Sequence, residues 1–295
     1  MGPPALPIQA GVDRDQLLRD VEVLAHDSME GRAAGTPGGE RARRYLLERF
    51  EEIGLESFPG GFELPFEAVH PQTGGTFEGI NLAGYVSGTR DPDPVLVVTA
   101  HYDHLGVRNG EIYNGADDNA SGTAGLLALA QDFVDDPPEH TVVFVAMDAE
   151  EMGLQGARAF VDDPPLEMER VRMNLNLDMV SRSEVGELYA AGTYHYPVLG
   201  NLLDEVEPAP EVDLLRGHDR PDLPPGEDWT MASDHAAFHE IGIPFLYFGV
   251  EDHPGYHDPS DTFDNITPDF FVGAVETIAD FARMADRRLK EVGPD

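Results

Sequence analysis

A short apolar run followed at once by imidazoles and carboxylates constrains this chain most: VLVVTAHYDHLGVRNGEIYNGADDNASG, residues 95–122. Val95 to Thr99 is mostly β-branched and too short for a buried helix, which predicts a buried strand. His101, Asp103 and His104 stand just past its end. Asp117 and Asp118 follow a loop rich in Gly and Asn and precede a helix of small residues that starts near Ala120. Ligand-type side chains beyond the carboxyl end of a parallel strand lie where open α/β sheets hold their sites.

The rest of the chain supplies the neighbours such a strand needs. Thr141–Met147 is a second apolar strand and runs directly into Asp148, Ala149, Glu150 and Glu151. Residues 172–180 read as a strand with Asp178 near its end, and residues 243–250 as another, followed by Tyr256, His257 and Asp258. Strand-like stretches at 55–69, 80–86 and 187–191 add to these. Helical spacing marks 13–25 with Asp13 as cap, 37–53 between Thr36 and Gly54, 120–134, a short helix near 154–163, 233–241, and an amphipathic helix over 268–288.

Strands alternating with helices predict one α/β domain over 13–295, a three-layer sandwich whose central sheet is mixed and mainly parallel, after a tail at 1–12. Residues 207–229, rich in Pro, Asp and Gly, read as an excursion. It is either a rim over a substrate pocket, ending at Trp229, or an acidic insertion without fixed structure. Met152, Met168, Met173 and Met179 read as core filling.

Charge removes whole classes of partner. With 19 basic and 56 acidic residues the formal charge is −37, and Lys290 is the only lysine. Such a surface repels nucleic acid and anionic membrane. It fits a protein adapted to high salt, for which the melting temperature should rise with KCl up to molar concentrations. There is no cysteine, hence neither a disulfide nor a thiolate metal site. The first eleven residues lack the charged and apolar regions of a signal peptide, and no apolar run approaches the roughly 20 residues of a membrane span. A secreted or periplasmic protein with its leader removed is expected over a cytoplasmic one.

His101, Asp117, the pair Glu150–Glu151, Asp178 and His257 each lie at or beyond a strand end. Nitrogen and oxygen donors without sulfur suit zinc, with manganese or cobalt as alternatives. Two dications about 3.5–4 Å apart need a shared carboxylate, and spacing alone does not say which. His104, one turn from His101, and His253, near His257, compete as ligands. Adjacent acids such as Glu150–Glu151 also occur as solvated faces.

The segments HYDHLG, NGADDNASG, MDAEEMGLQGA, NLDM, SDHAAF and YHDPSDT, in this order from residue 101 to 262, resemble the M28-type zinc aminopeptidase family of co-catalytic metallopeptidases. MEGRAAGTPGGERARRYL resembles the family's opening. The resemblance implies the zinc exopeptidase fold and two zinc ions per chain. Asp117 would bridge them, with His101 and Asp178 completing one site and Glu151 and His257 the other. Glu150 would be the general base, and Asp103 would orient His101 by accepting its second N–H. A cis peptide would join Asp117 to Asp118. Asp118, Asp234, His235, Tyr256 and Asp261 would stand around these residues or on the substrate side.

The implied activity is hydrolysis of the first peptide bond of peptides with a free amino terminus. Three other readings stay open: a glutaminyl cyclase of the same fold, a carboxypeptidase, and a binding domain without catalysis. The carboxypeptidase needs a cation for the substrate carboxylate, and Arg32, Arg108, Arg158, Arg182 and Arg216 are the candidates.

Overall fold

A computed structural model describes residues 11–293. The tail expected at 1–12 lies outside these residues except for Gly11 and Val12. In chain order the elements are α1 (Arg14–Leu24), α2 (Pro37–Ile53), β1 (Glu56–Ser57), β2 (Glu63–Val69), β3 (Thr76–Val86), β4 (Val95–His101), β5 (Gly106–Arg108) and β6 (Glu111–Tyr113). Then come α3 (Gly122–Asp135), β7 (Thr141–Met147), α4 (Gln155–Asp162), β8 (Val171–Leu177), β9 (Glu187–Ala191), α5 (Pro197–Leu203), β10 (Asp213–Arg216), α6 (His235–Glu240), β11 (Phe245–Gly249) and α7 (Pro268–Arg287).

Local chemistry explains the helix ends. The Asp13 carboxylate accepts the Gln16 N–H, Thr36 Oγ1 accepts the Gly39 N–H, and Gly54 closes α2 at φ +89°, a conformation glycine adopts without strain. The strands join in the order β1–β3–β7–β4–β8–β11–β9–β10, with β2 also paired to β3. The centre, β7–β4–β8–β11, is parallel, while β3 meets β7 and β9 meets β11 in antiparallel fashion. The sheet is therefore mixed, with its parallel strands innermost.

Every residue of β4 and β7 is buried, as expected for strands covered on both faces. Leu96, Val98, Phe144 and Ala146 pack with residues of α1, α2, α3, α5 and α7, whereas Val95, Val97, Val143 and Val145 face α4 and α6. This alternation makes the three layers. It also aligns the carboxyl ends of the strands: His101 is paired with Met147, and Thr99 with Asn176, two residues before Asp178. The expected excursion at 207–229 contains β10, which adds a parallel strand beside β9. No helix of the described residues is long and apolar enough to cross a membrane.

Candidate metal centre

Two clusters of donors meet at these strand ends. In the first, His101 Nε2 lies 3.3 Å from Asp178 Oδ1 and 4.0 Å from Glu150 Oε2. In the second, His257 Nε2 lies 3.5 Å from Glu151 Oε2. A single carboxylate stands between them: Asp118 Oδ1 is 3.5 Å from His101 Nε2, and Asp118 Oδ2 is 3.2 Å from His257 Nε2.

The position expected for Asp117 thus falls to Asp118. The Asp117 carboxylate is fully engaged elsewhere. Its Oδ1 accepts Ser181 N–H at 2.7 Å and Ser181 Oγ–H at 2.8 Å, and its Oδ2 sits 3.0 Å from His253 Nε2. The two carboxylates diverge because residues 116–121 form an irregular π-helical turn in which Asp118 (φ −104°) and Asn119 (φ −130°) leave helical geometry. The cis peptide lies between Asp118 and Asn119, one bond later than expected.

The turn is suspended from a distant residue. Asp261 accepts the backbone N–H groups of Asp117 and Asp118 at 3.0 Å each. Burial, followed by the neighbouring Asp117 charge, pushes the Asp261 carboxyl up to about 6. His253 sits on Asp117 and is no rival to His257, whose ring is stacked against Tyr256 at 4.0 Å.

Asp103 works differently from the expectation. Its backbone carbonyl, 3.1 Å from His101 Nδ1, faces the ring nitrogen, whereas its carboxylate stands at 3.8 Å. That carboxylate instead accepts the N–H groups of Glu150 and Glu151 at 3.0 and 3.4 Å, and so holds the end of β7 against the end of β4.

Burial raises the Glu150 carboxyl well above its usual range; His101 opposes this, and Asp178 and Asp234 add to it. For His257, burial is outweighed by contacts with Asp118 and Glu151, which lift the imidazole to about 10. Asp234, fully buried, is pushed up to about 7 by burial, with His101 opposing and the Asp178 charge adding; neither of its oxygens has a hydrogen-bond partner. Its neighbour His235 donates to or accepts from no carboxylate: its Nε2 lies 2.9 Å from Trp229 O and its ring stacks on Tyr247.

The residues fit a cation. Asp178 Oδ1 is buried without a hydrogen bond, and His104 Nδ1 lies 2.7 Å from Glu151 Oε1 without hydrogen-bond alignment. Two groups of donors converge closely enough to hold an ion: His101, Glu150 and Asp178, and His104, Asp118 and Glu151. His104, a competing ligand in the sequence, therefore belongs to the second group. The segment from Tyr102 to Leu105 is not helical, so the loop beyond β4 and not a helical turn brings His104 there.

The centre opens into a cleft of about 490 Å³. Its walls include Leu154, Met179, Trp229, Tyr247, Val250 and Asp252, and no lysine or arginine lines it. Met179 is thus a wall of the cleft as well as core filling, and the 207–229 excursion delivers Gly226 and Trp229 to the rim. Trp229 is held by His218, stacked at 3.7 Å, whose Nε2 pairs with Glu251 at 3.0 Å. A second cleft of about 470 Å³ at the opposite end of the same strands is lined by Phe58, Tyr85, Val95 and Thr141. It contains no histidine, so size does not distinguish the two; converging donors do.

None of the five arginines considered for a substrate carboxylate lines this cleft. Arg158 pairs with Glu240, Arg216 with Asp204, and Arg108 with the Leu105 carbonyl. Arg182 packs beside Gly255, and Arg32 is completely buried.

The fold is that of zinc aminopeptidases. The zinc aminopeptidase BSAP from Bacillus subtilis superposes with a TM-score of 0.72 over 97% of this chain and 99% of that one, at 18% identity. A Bacteroides thetaiotaomicron glutaminyl cyclase, solved with N-acetylhistamine, has the same fold: TM-score 0.72, 92% of this chain and 97% of that one, 18% identity.

The sequence carries the assignment further, since residues 81–282 match the model of Peptidase family M28, and the chain belongs to that family. Aminopeptidase YwaD of Bacillus subtilis (strain 168) is 33% identical over 192 residues, a match that takes in 60% of this chain and 38% of that protein. The chain thus spans about two fifths of the length of this curated relative.

Proposed function

We propose that this chain forms an aminopeptidase domain that cleaves the first peptide bond of substrates with a free amino terminus, using two zinc ions. His101 and Asp178 would hold one ion, Glu151 and His257 the other, and Asp118 would serve both. The observation that carries this reading is the division of Asp118, one oxygen toward His101 and the other toward His257. Nitrogen and oxygen donors without a thiolate suit zinc, with manganese or cobalt as substitutes. When bound, the ions would supply Lewis acidity toward water and toward the scissile carbonyl.

The remaining work falls to the chain. Glu150 takes the proton of the attacking water and returns it to the leaving amine. Its backbone N–H is fixed by Asp103, so its main chain is in place before substrate arrives. A cleft wall without lysine or arginine suits a protonated amine and offers no grip to a substrate carboxylate, which favours an aminopeptidase over a carboxypeptidase. Asp252, exposed on the same wall, adds attraction for the amine.

The test is hydrolysis of aminoacyl-p-nitroanilides with free and acetylated amino groups in molar KCl, before and after chelation and zinc return. Cleavage of the free-amine forms alone, lost with chelator and restored by zinc, is the expected result. Ammonia release from N-terminal Gln without peptide cleavage would make the chain a cyclase. No turnover by zinc-replete protein would make it a binding domain.

A further inference from the structure

Arg32 is the bulkiest of the completely buried side chains, and nothing in its surroundings neutralises it directly. Its Nε donates to the Tyr102 carbonyl at 2.9 Å. One terminal nitrogen donates to the Leu24 and Asn114 carbonyls at 2.8 and 2.5 Å, and the other to the Gly115 carbonyl at 2.8 Å. All four acceptors are backbone carbonyls. A buried guanidinium ordinarily takes a carboxylate, because an uncompensated buried charge is costly. Here the compensating charges are one layer removed. Burial lowers the Arg32 pKa to about 10, offset in part by Asp118, Asp261, Asp103 and Glu151.

The identity of the four carbonyls is informative. Tyr102 follows His101, the last residue of β4. Asn114 and Gly115 lead into the turn that carries Asp118. Leu24 ends α1. One rigid planar fork therefore ties the strand bearing the first imidazole to the turn bearing the shared carboxylate, and fastens both to a helix. Five donors in fixed geometry suit this task, as an ammonium on a flexible stem does not. The approach of the chain is equally constrained. Gly31 has φ +66°, and a Cβ there would meet the carbonyl oxygens of Tyr113 at 2.3 Å and Gly106 at 2.7 Å, so the turn before Arg32 is wedged against this same loop.

Resting on the two-ion reading above, we infer that Arg32 is a positioning residue of the metal centre. It fixes the separation of His101 and Asp118 and sets a permanent positive charge behind the acids, so that the ligand geometry exists before the ions arrive. It does not touch substrate.

The test compares zinc affinity, by competition with a chromophoric chelator, in wild type, Arg32→Lys and Asn114→Ala. Amide exchange over residues 115–121 is followed in the metal-free proteins, and kcat and KM are measured in the zinc-loaded ones. Arg32→Lys keeps the charge and loses the fork. Its zinc affinity should fall about 10–100-fold, as for other groups that orient ligands, with faster exchange in the turn. Its kcat should fall while KM stays within about twofold. Asn114→Ala removes the bonds from Asn114 Nδ2 to the Ala25 carbonyl and to Asp27 that steady the same loop. It should shift zinc affinity in the same direction by less.

An Arg32→Lys protein that melts earlier but keeps wild-type zinc affinity and kcat overturns the inference. If that variant does not fold, unchanged zinc affinity in Asn114→Ala overturns it. Wild type binding two zinc ions while the variants bind equally well defeats this inference alone; wild type that fails to bind two defeats the two-ion reading and this inference with it.

Discussion

The donors around His101 and those around His257 differ in what holds them. His101 ends β4 in register with Met147 of β7, and its side chain is 2% exposed. Asp178 follows β8 directly. Each is anchored by strands whose buried side chains contribute about 1.5–3 kcal/mol apiece, so this half cannot move without opening the core. His257 sits in the irregular stretch between β11 and α7 at φ +52°, with its side chain 40% exposed. Its apolar anchors, Val250 and Ile266, lie at its two ends, and what ties it down around His257 is polar: Asp261 on the backbone of Asp117 and Asp118, and His253 on the Asp117 carboxylate. One half is set by hydrophobic burial and the other by a few hydrogen bonds, which open at lower free-energy cost. The two halves should therefore differ in metal affinity, and Asp118 is where they meet.

The largest effect expected is at that shared residue. Asp118→Ala should bind neither ion tightly and lose more than the roughly 10⁴-fold that removal of a general base costs at most. Retention of two zinc ions on metal analysis would break the assignment. Glu150→Gln should keep both ions while kcat falls about 10²–10⁴-fold; full activity would remove Glu150 from its role.

The contrast itself is tested next. Stepwise chelation should release one zinc before the other, and His253→Ala should weaken chiefly the ion that leaves first, by about 10–100-fold. Equal weakening of both would erase the distinction between a sheet-held and a loop-held half.

A separate effect, on stability rather than on metal binding, lies behind the sheet-held half, at His235. Burial depresses its imidazole from 6.5 to about 4. The fold thus favours the neutral ring, so the stability it contributes is complete above pH 6.5 and is lost as pH falls toward about 4. The difference amounts to roughly 3 kcal/mol. Melting of the metal-free protein should fall across this window, and less steeply in His235→Asn; parallel slopes would refute this.

Much of the architecture was legible because the signals were local. Thr141–Met147 and Glu187–Ala191 are strands with the expected bounds, and Asp13, Thr36 and Gly54 cap where their chemistry suggests. The placement of candidate ligands beyond strand ends was legible for the same reason. The excursion was harder to read, because β10 is a short strand that gains its partner only through parallel pairing with β9. Asp103 was singled out correctly as a residue beside His101, yet whether its carbonyl or its carboxylate would face the ring depended on where β7 ended.

By itself, then, the sequence determined the layers and the donor chemistry. Apolar β-branched runs have to be buried as strands, and a chain without cysteine can offer a metal only nitrogen and oxygen. Tertiary structure alone decided between Asp117 and Asp118, since neighbouring carboxylates in an irregular turn share no periodicity. The contact that fixes them comes from Asp261, 144 residues away from Asp117. It also decided the place of Arg32: an arginine reads as a surface residue or a substrate grip until four carbonyls from three separate segments are seen to close around it.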